Sequence, residues 1–340
     1  MTPDSAEPLL SVRDLRIAFA GIEAVRGLSF DVHPGEVLAL VGESGAGKSL
    51  TARALLGMVP GGARTGGSVR LRQTPGSPPL DLLTATPAEL RSVRGRRIAL
   101  VPQDALSALS PVHPVGAQLA AAIRSVTRLP RKEAKARAIA ALDRVGIPDA
   151  ARKARAHPHE YSGGMRQRAV IAMATINEPD ILIADEPTTA LDEERRDQVL
   201  KVLAEQRETL GAALVLVTHD VEAVRRHADR VLVMYAGREV ELGPAARLLG
   251  RPLAPYTAGL LASLPREDLP RRRRLPTLPG TPPVPTALPP GCAFAPRCPL
   301  ATEFCHREMP EPWTTEGRRV SCHRWDEVPR LAAELFKGPA

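Results

Sequence analysis

Aromatic side chains are scarce in this 340-residue chain: two tryptophans, three tyrosines and five phenylalanines, 3% in all. Stacking platforms for unpaired bases need several rings on one face, so a nucleic-acid surface is a poor fit despite a formal charge of +8. Lysine is scarce as well. Only six of the 46 basic residues are lysines, and the arginines are spread along the chain rather than gathered into one face. Clean apolar runs of membrane-spanning length are missing; the uncharged stretch Ala105–Ile123 is broken by Pro111, His113, Pro114 and Gln118. Met1–Pro8 is polar and acidic rather than basic then apolar, so no secretory leader is expected. Cysteine is limited to four residues, all between positions 292 and 322.

What the chain does have is organised around one stretch. Apolar Val37–Val41 reads as a buried strand and Leu50–Leu56 as a helix, and between them runs Gly42-Glu43-Ser44-Gly45-Ala46-Gly47-Lys48-Ser49. This is G-x-x-x-x-G-K-S in its strand–loop–helix context. Gly42, Gly45 and Gly47 let the backbone curl so that successive N–H groups face one anion, which the helix N-terminus also favours. Lys48 is placed to reach the β- and γ-phosphates of a nucleotide, and the Ser49 hydroxyl to ligate Mg²⁺.

The rest of the chain reads as strands alternating with helices. Leu9–Phe19 alternates imperfectly, as a half-buried strand with a bulge does, and Leu28–Val32 is a second short strand. Ser68–Leu71 reads as an edge strand after the break at Pro60-Gly61-Gly62, and Gln73–Pro79 as a turn-rich insertion. Arg97–Val101, Ile181–Ala184 and Ala213–Val217 are core strands, and Val231–Tyr235 with Glu239–Leu242 forms a hairpin. Between them the spacing predicts two helices over 115–145 divided at Pro130, one over Met165–Thr175 and one over Glu193–Thr209. Polar residues at the carboxyl ends of such strands predict a parallel α/β sheet with the nucleotide at that edge. Arg271–Arg274 is a basic run, and Leu275–Pro290, with seven prolines, reads as a stiff extended linker.

Taken together, the phosphate loop, Gln103, Tyr161-Ser162-Gly163-Gly164-Met165, Asp185-Glu186, Ala190-Leu191-Asp192 and His219 resemble, in order, the motifs of an ABC transporter ATPase subunit. The resemblance covers roughly residues 8–265. It implies a P-loop ABC-type ATPase domain with a parallel core sheet, an antiparallel β subdomain and a helical signature subdomain at about 104–168. ATP would lie on Gly42 to Ser49, including Glu43, Ser44 and Ala46, with Phe19 stacking on the adenine and Gln103 sensing Mg²⁺ and the attacking water. Asp185 would hold Mg²⁺ through water together with Ser49 and Gln103; Glu186 would be the general base, and His219 would bond the γ-phosphate and the water. Ser162, Gly163, Gly164 and Met165, at a helix start, would close on ATP held by a second subunit, with Asp192 at the seam. One signature and one phosphate loop per chain imply two chains for two ATP sites. Tyr161 and Met165 stand where Leu and Gln are more usual.

The tail narrows the resemblance. Leu278-Pro279-Gly280-Thr281-Pro282-Pro283, then Gly291–Pro299, is similar to the tail of dipeptide/oligopeptide importer ATPases, a branch that also includes nickel, glutathione and opine importers; Ser107–Val112 fits the same branch. The implied partners are a second, similar ATPase, two membrane-spanning permeases and an external solute-binding protein, on the cytoplasmic face of a bacterial membrane. Soluble ABC ATPases with two cassettes or a coiled-coil insertion fit less well, and a P-loop GTPase would need an N-K-x-D motif. By this reading 266–290 is a linker and 291–326 a small Cys-rich extension. The spacing Cys292-x5-Cys298-x6-Cys305-x16-Cys322 leaves buried thiols, two disulfides or a metal site open. The resemblance implies a [4Fe-4S] cluster on those four cysteines, with zinc as the alternative because His306 and His323 each follow a cysteine.

Overall fold

The structure is a computed structural model that describes residues 7–74, 76–189, 192–263, 277–332 and 335–336. In chain order the strands are β1 (Leu10–Phe19), β2 (Ile22–Val32), β3 (Val37–Val41), β4 (Ala63–Leu71), β5 (Leu80–Asp81), β6 (Ile98–Val101), β7 (Ile181–Asp185), β8 (Ala213–Val217), β9 (Arg230–Tyr235), β10 (Arg238–Pro244), β11 (Trp313–Thr315) and β12 (Arg318–Val320). They form a four-stranded antiparallel sheet, β2-β1-β4-β5, and an eight-stranded mixed sheet, β11-β12-β10-β9-β3-β8-β7-β6. From β9 to β6 the larger sheet is parallel.

The apolar runs explain the parallel part. β3, β7 and β8 are buried at every position, as strands covered on both faces require. Leu38 and Leu40 of β3 face the cluster that includes the antiparallel sheet, whereas Ala39 and Val41 face a cluster that includes the C-terminal segment. On the far strands, Val101, Leu182, Ala184, Leu214 and Leu216 pack against the helices Val115–Val126, Arg131–Arg144 and Gly163–Thr175. Pro130 does separate the first two of these.

The antiparallel sheet starts with the irregularity its sequence implies. β1 shifts register against β2 between Val12 and Leu15, where Asp14 takes a positive φ of 45°. Contrary to the sequence expectation, β4 lies between β1 and β5 rather than at an edge. The two-residue β5 that covers it, and the helix Pro87–Val93 with its Thr86–Glu89 capping box, come from a stretch without a readable period.

The C-terminal segment builds no core of its own. β12 pairs with β10 at Glu241 and Leu242, so the larger sheet continues into the tail. Phe294, Val328 and Phe336 pack in one cluster with Val41, Tyr235 and Tyr256, and Leu278 from the proline-rich stretch packs against it. Arg271–Arg274 and Ala190–Leu191 lie outside the described residues.

Candidate ATP site

The phosphate loop leaves β3 and enters the helix Lys48–Ala54, which begins two residues before the periodicity suggests and follows an N-cap at Gly47 (φ 95°). Two glycines are required by contacts. A Cβ on Gly42 would stand 2.2 Å from the Met234 carbonyl oxygen, and one on Gly47 would stand 2.9 Å from that of Ala24. The Lys48 ammonium is buried and donates to the carbonyls of Gly42 (2.7 Å) and Glu43 (3.1 Å). Burial lowers its pKa, while Glu186, Asp185 and Glu43 oppose that shift.

Strand β7 delivers the carboxylates. Asp185 ends the strand, and its Oδ1 accepts the Ser49 hydroxyl at 2.9 Å, which joins the loop helix to the sheet edge. Burial raises the Asp185 pKa, opposed by the bond from Ser49 and reinforced by its like-charged neighbour Glu186. A hydroxyl and a carboxylate side by side, with surplus negative charge, are hard oxygen donors of the kind Mg²⁺ takes, so the residues present fit that ion.

Glu186 turns out of the strand with φ 46°, a left-handed conformation that a glutamate adopts at a cost of about 1 kcal/mol. Its Oε2 accepts Gln103 Nε2 (3.3 Å) and the Thr189 hydroxyl (2.8 Å), and lies 3.6 Å from His219 Nδ1. Gln103 follows β6, Glu186 follows β7 and His219 follows β8, so three adjacent parallel strands bring the three side chains to one point. Thr189 was missed by the sequence reading; the run Asp185-Glu186-Pro187-Thr188-Thr189 held the signal.

Phe19 is half-buried at the end of β1, where the positive-φ pair Ala20-Gly21 turns the chain into β2. Ser162 is exposed and caps the helix Gly163–Thr175, accepting the Met165 N–H at 3.3 Å. Tyr161 is buried beside it and donates to the Lys153 carbonyl at 2.9 Å; burial pushes its phenol up to about 12. No described hydrogen bond joins Ser162, Gly163, Gly164 or Met165 to the phosphate loop. Asp192 is likewise exposed and caps the next helix, accepting the Arg195 N–H at 2.9 Å.

The metal reading of the tail is corrected by the structure. Among the described residues no group of three or more His, Cys, Asp or Glu side chains could hold a metal ion. Cys292, Cys298, Cys305 and Cys322 instead border a cavity of about 60 Å³ together with apolar Phe294 and Met309. They are free thiols, and burial pushes Cys292 up, Cys298 up to about 11 and Cys322 up to about 12. His323 Nε2 lies 3.0 Å from the Glu308 carbonyl oxygen, and His306 is exposed. The expected iron–sulfur cluster, and zinc as its alternative, therefore find no support among the described residues.

Sequence reading also missed what stands behind the phosphate loop. Arg297, from the tail, forms a bidentate pair with the Glu43 carboxylate at 2.6 and 2.9 Å, and Tyr256 Oη accepts the Glu43 N–H at 2.8 Å. Arg297 lies within the Gly291–Pro299 tail motif, but nothing in the sequence pairs it, or Tyr256, with Glu43.

Comparison with known proteins agrees with this geometry. Residues 25–189 match the ABC transporter family, and residues 240–305 match the oligopeptide/dipeptide transporter C-terminal region. The oligopeptide transport ATP-binding protein OppD of Mycobacterium tuberculosis is 46% identical over 97% of this chain, which spans only 54% of that relative's length. A putative peptide import ATP-binding protein of Brucella abortus is 45% identical, with 96% of each chain covered. The dipeptide transport ATP-binding protein DppD of Bacillus subtilis is 41% identical over 98% of this chain and 99% of its own. Among solved structures, cbiO1 of Clostridium perfringens, part of the cbiONQ transporter complex, has a TM-score of 0.61 at 28% identity, covering 72% of this chain and 91% of its own. The cassette MJ0796 bound to ADP and Pi has a TM-score of 0.60 at 24% identity, covering 69% and 98%, and shares the fold. The chain belongs to the ATP-binding proteins of ABC transporters, in the branch that carries the oligopeptide/dipeptide C-terminal region.

Proposed function

We propose that this protein is the ATP-hydrolysing subunit of an ABC importer of di- or oligopeptides. The observation that carries the catalytic part is the convergence of Gln103, Thr189 and His219 on one oxygen of Glu186, beside the Ser49–Asp185 pair. The loop N–H groups and Lys48 bind the phosphates of ATP. Ser49 and Asp185 hold Mg²⁺, which supplies neutralisation of charge on the phosphate oxygens. Glu186 orients the attacking water and takes its proton, and Gln103 and His219 fix the position of its carboxylate. Phe19 stacks on the adenine.

Ser162, Gly163 and Gly164 present a capped helix N-terminus to solvent, and that exposure supports a site completed by a second ATPase subunit, with Asp192 at the seam. The peptide assignment rests on the relatives named as peptide import proteins and on the matched C-terminal region. No helix among the described residues is long and apolar enough to cross a membrane. The likeness to peptide import ATP-binding proteins supports separate permease subunits and a solute-binding protein as partners, with this chain on the cytoplasmic face. The ATPase unit extends over 8–265, followed by the 266–290 linker and the 291–326 segment.

The test is Glu186→Gln in the assembled transporter. ATP binding persists while hydrolysis falls by about 100-fold or more, the usual cost of losing a general base. Lys48→Ala instead weakens binding itself. Undiminished turnover by the Glu186→Gln complex would remove Glu186 from the mechanism, and co-purification without permeases would remove the importer assignment.

A further inference from the structure

The phosphate loop carries a negative charge where it is meant to receive an anion. Glu43 is the first residue after Gly42, and a carboxylate there opposes the phosphates that the neighbouring N–H groups and Lys48 attract. The structure holds that charge in a built socket. Arg297 takes both Glu43 oxygens, at 2.6 and 2.9 Å, and is itself 7% exposed. Two of its remaining donors are used as well: Nε donates to the Pro279 carbonyl at 2.7 Å and Nη1 to Tyr235 Oη at 3.1 Å. The guanidinium lies 5.8 Å from the Tyr235 ring centroid and 5.7 Å from that of Phe294. Tyr256 completes the wall, 4.6 Å from Tyr235 and 5.3 Å from Phe294 between centroids, while its hydroxyl accepts the Glu43 N–H.

Two of the three tyrosines in an aromatic-poor chain are thus spent behind one loop residue. Arg297 and Phe294 lie some 250 positions further along the chain than Glu43, as the 254-residue separation of the ion pair records. Neither contributes to the phosphate-facing side of the loop.

We propose that Arg297 is a positioning residue for ATP binding: it cancels the charge of Glu43 and fixes the entry of the phosphate loop, so that nucleotide affinity depends on the C-terminal segment. This rests on the ATP reading of the site. A bidentate, largely desolvated guanidinium–carboxylate pair is difficult to replace, because loss of either partner leaves the other unpaired. Loss of Arg297 therefore acts through Glu43, and removing the Glu43 charge as well relieves it.

The experiment is calorimetric titration of the full chain with ATP and Mg²⁺, with thermal melting recorded for each variant. Arg297→Gln binds ATP about tenfold more weakly than wild type, the loss expected for an unpaired charged hydrogen-bond partner. The double variant Arg297→Gln/Glu43→Gln recovers affinity to within about threefold, whatever its melting temperature. A merely structural Arg297 predicts the opposite: the double variant is no better than the single one, and that result overturns the proposal. Equal ATP affinity of Arg297→Gln and wild type overturns it too. If Arg297→Gln does not fold, Arg297→Lys keeps the charge but loses the bidentate fork; about threefold weaker binding is expected, and wild-type affinity would refute the positioning role. Absence of ATP binding by wild type itself would refute the ATP reading, and this proposal with it.

Discussion

At the residue scale, Glu241 shows how burial sets a charge state far from the nucleotide. It lies on β10 with no exposure, accepts the N–H groups of Leu253 and Ala254 at 3.2 Å, and stands 3.5 Å from Arg318, which is also buried. Burial raises its pKa from 4.5 to about 7. Between those values the unfolded chain has lost the proton that the folded chain keeps. The stabilisation from that proton is full at low pH and is lost as pH rises through about 7. Glu241→Gln cannot titrate, so its stability relative to wild type should rise between pH 5 and 8, by at most about 3 kcal/mol. Urea midpoints across that range check this, and a pH-independent difference would mean that Glu241 ionises normally.

At the scale of one element, the helix Gly163–Thr175 combines a structural cap with the proposed partner-facing signature. Its Ser162 hydroxyl accepts the Met165 N–H, a contact whose loss to alanine costs about 1 kcal/mol. Ser162→Gly costs only a few tenths, because glycine is tolerated at that position. If the hydroxyl also meets ATP across a subunit seam, both variants leave ATP binding to the isolated chain intact and depress ATPase activity of the assembled complex alike. Activity that follows helix stability, with the glycine variant active and the alanine variant not, would reduce Ser162 to a cap. Equal loss of binding in the isolated chain would mean that the signature acts locally.

At the scale of the whole molecule, the C-terminal segment and the sheet that carries the phosphate loop share one hydrophobic cluster. Phe294 is 5% exposed and meets Tyr235 and Tyr256 edge-on at 5.4 and 5.3 Å. Phe294→Ala should cost roughly 3 kcal/mol, the lower end for an aromatic core truncation, and should move the entire unfolding transition rather than split it. Differential scanning calorimetry distinguishes the outcomes. A separate early transition, with the main one unmoved, would show that the tail folds apart from the sheet. The result bears on the Arg297 pair, because a shared transition carries any loosening of the tail to Glu43.

Much of the site was legible because its chemistry is local. The glycine spacing, Lys48 and Ser49 follow from what a curled loop at a helix start must contain, and the buried runs β3, β7 and β8 announce strands covered on both faces. The pairing of those strands is what only the tertiary structure decided: parallel neighbours come from separate crossovers, so no local pattern states that Gln103, Glu186 and His219 reach one point. The same holds for Thr189, whose bond to Glu186 depends on the backbone turn at φ 46°. The cysteines show the reverse case. Their clustering in sequence was plain, yet spacing along a chain does not set the directions of four thiols, and packing against Phe294 and Met309 left them bordering an apolar cavity. Arg297 lies in the tail motif Gly291–Pro299, but neither it nor Tyr256 shows in sequence what it meets, since a side chain that answers a charge some 250 residues away is selected by the folded surface.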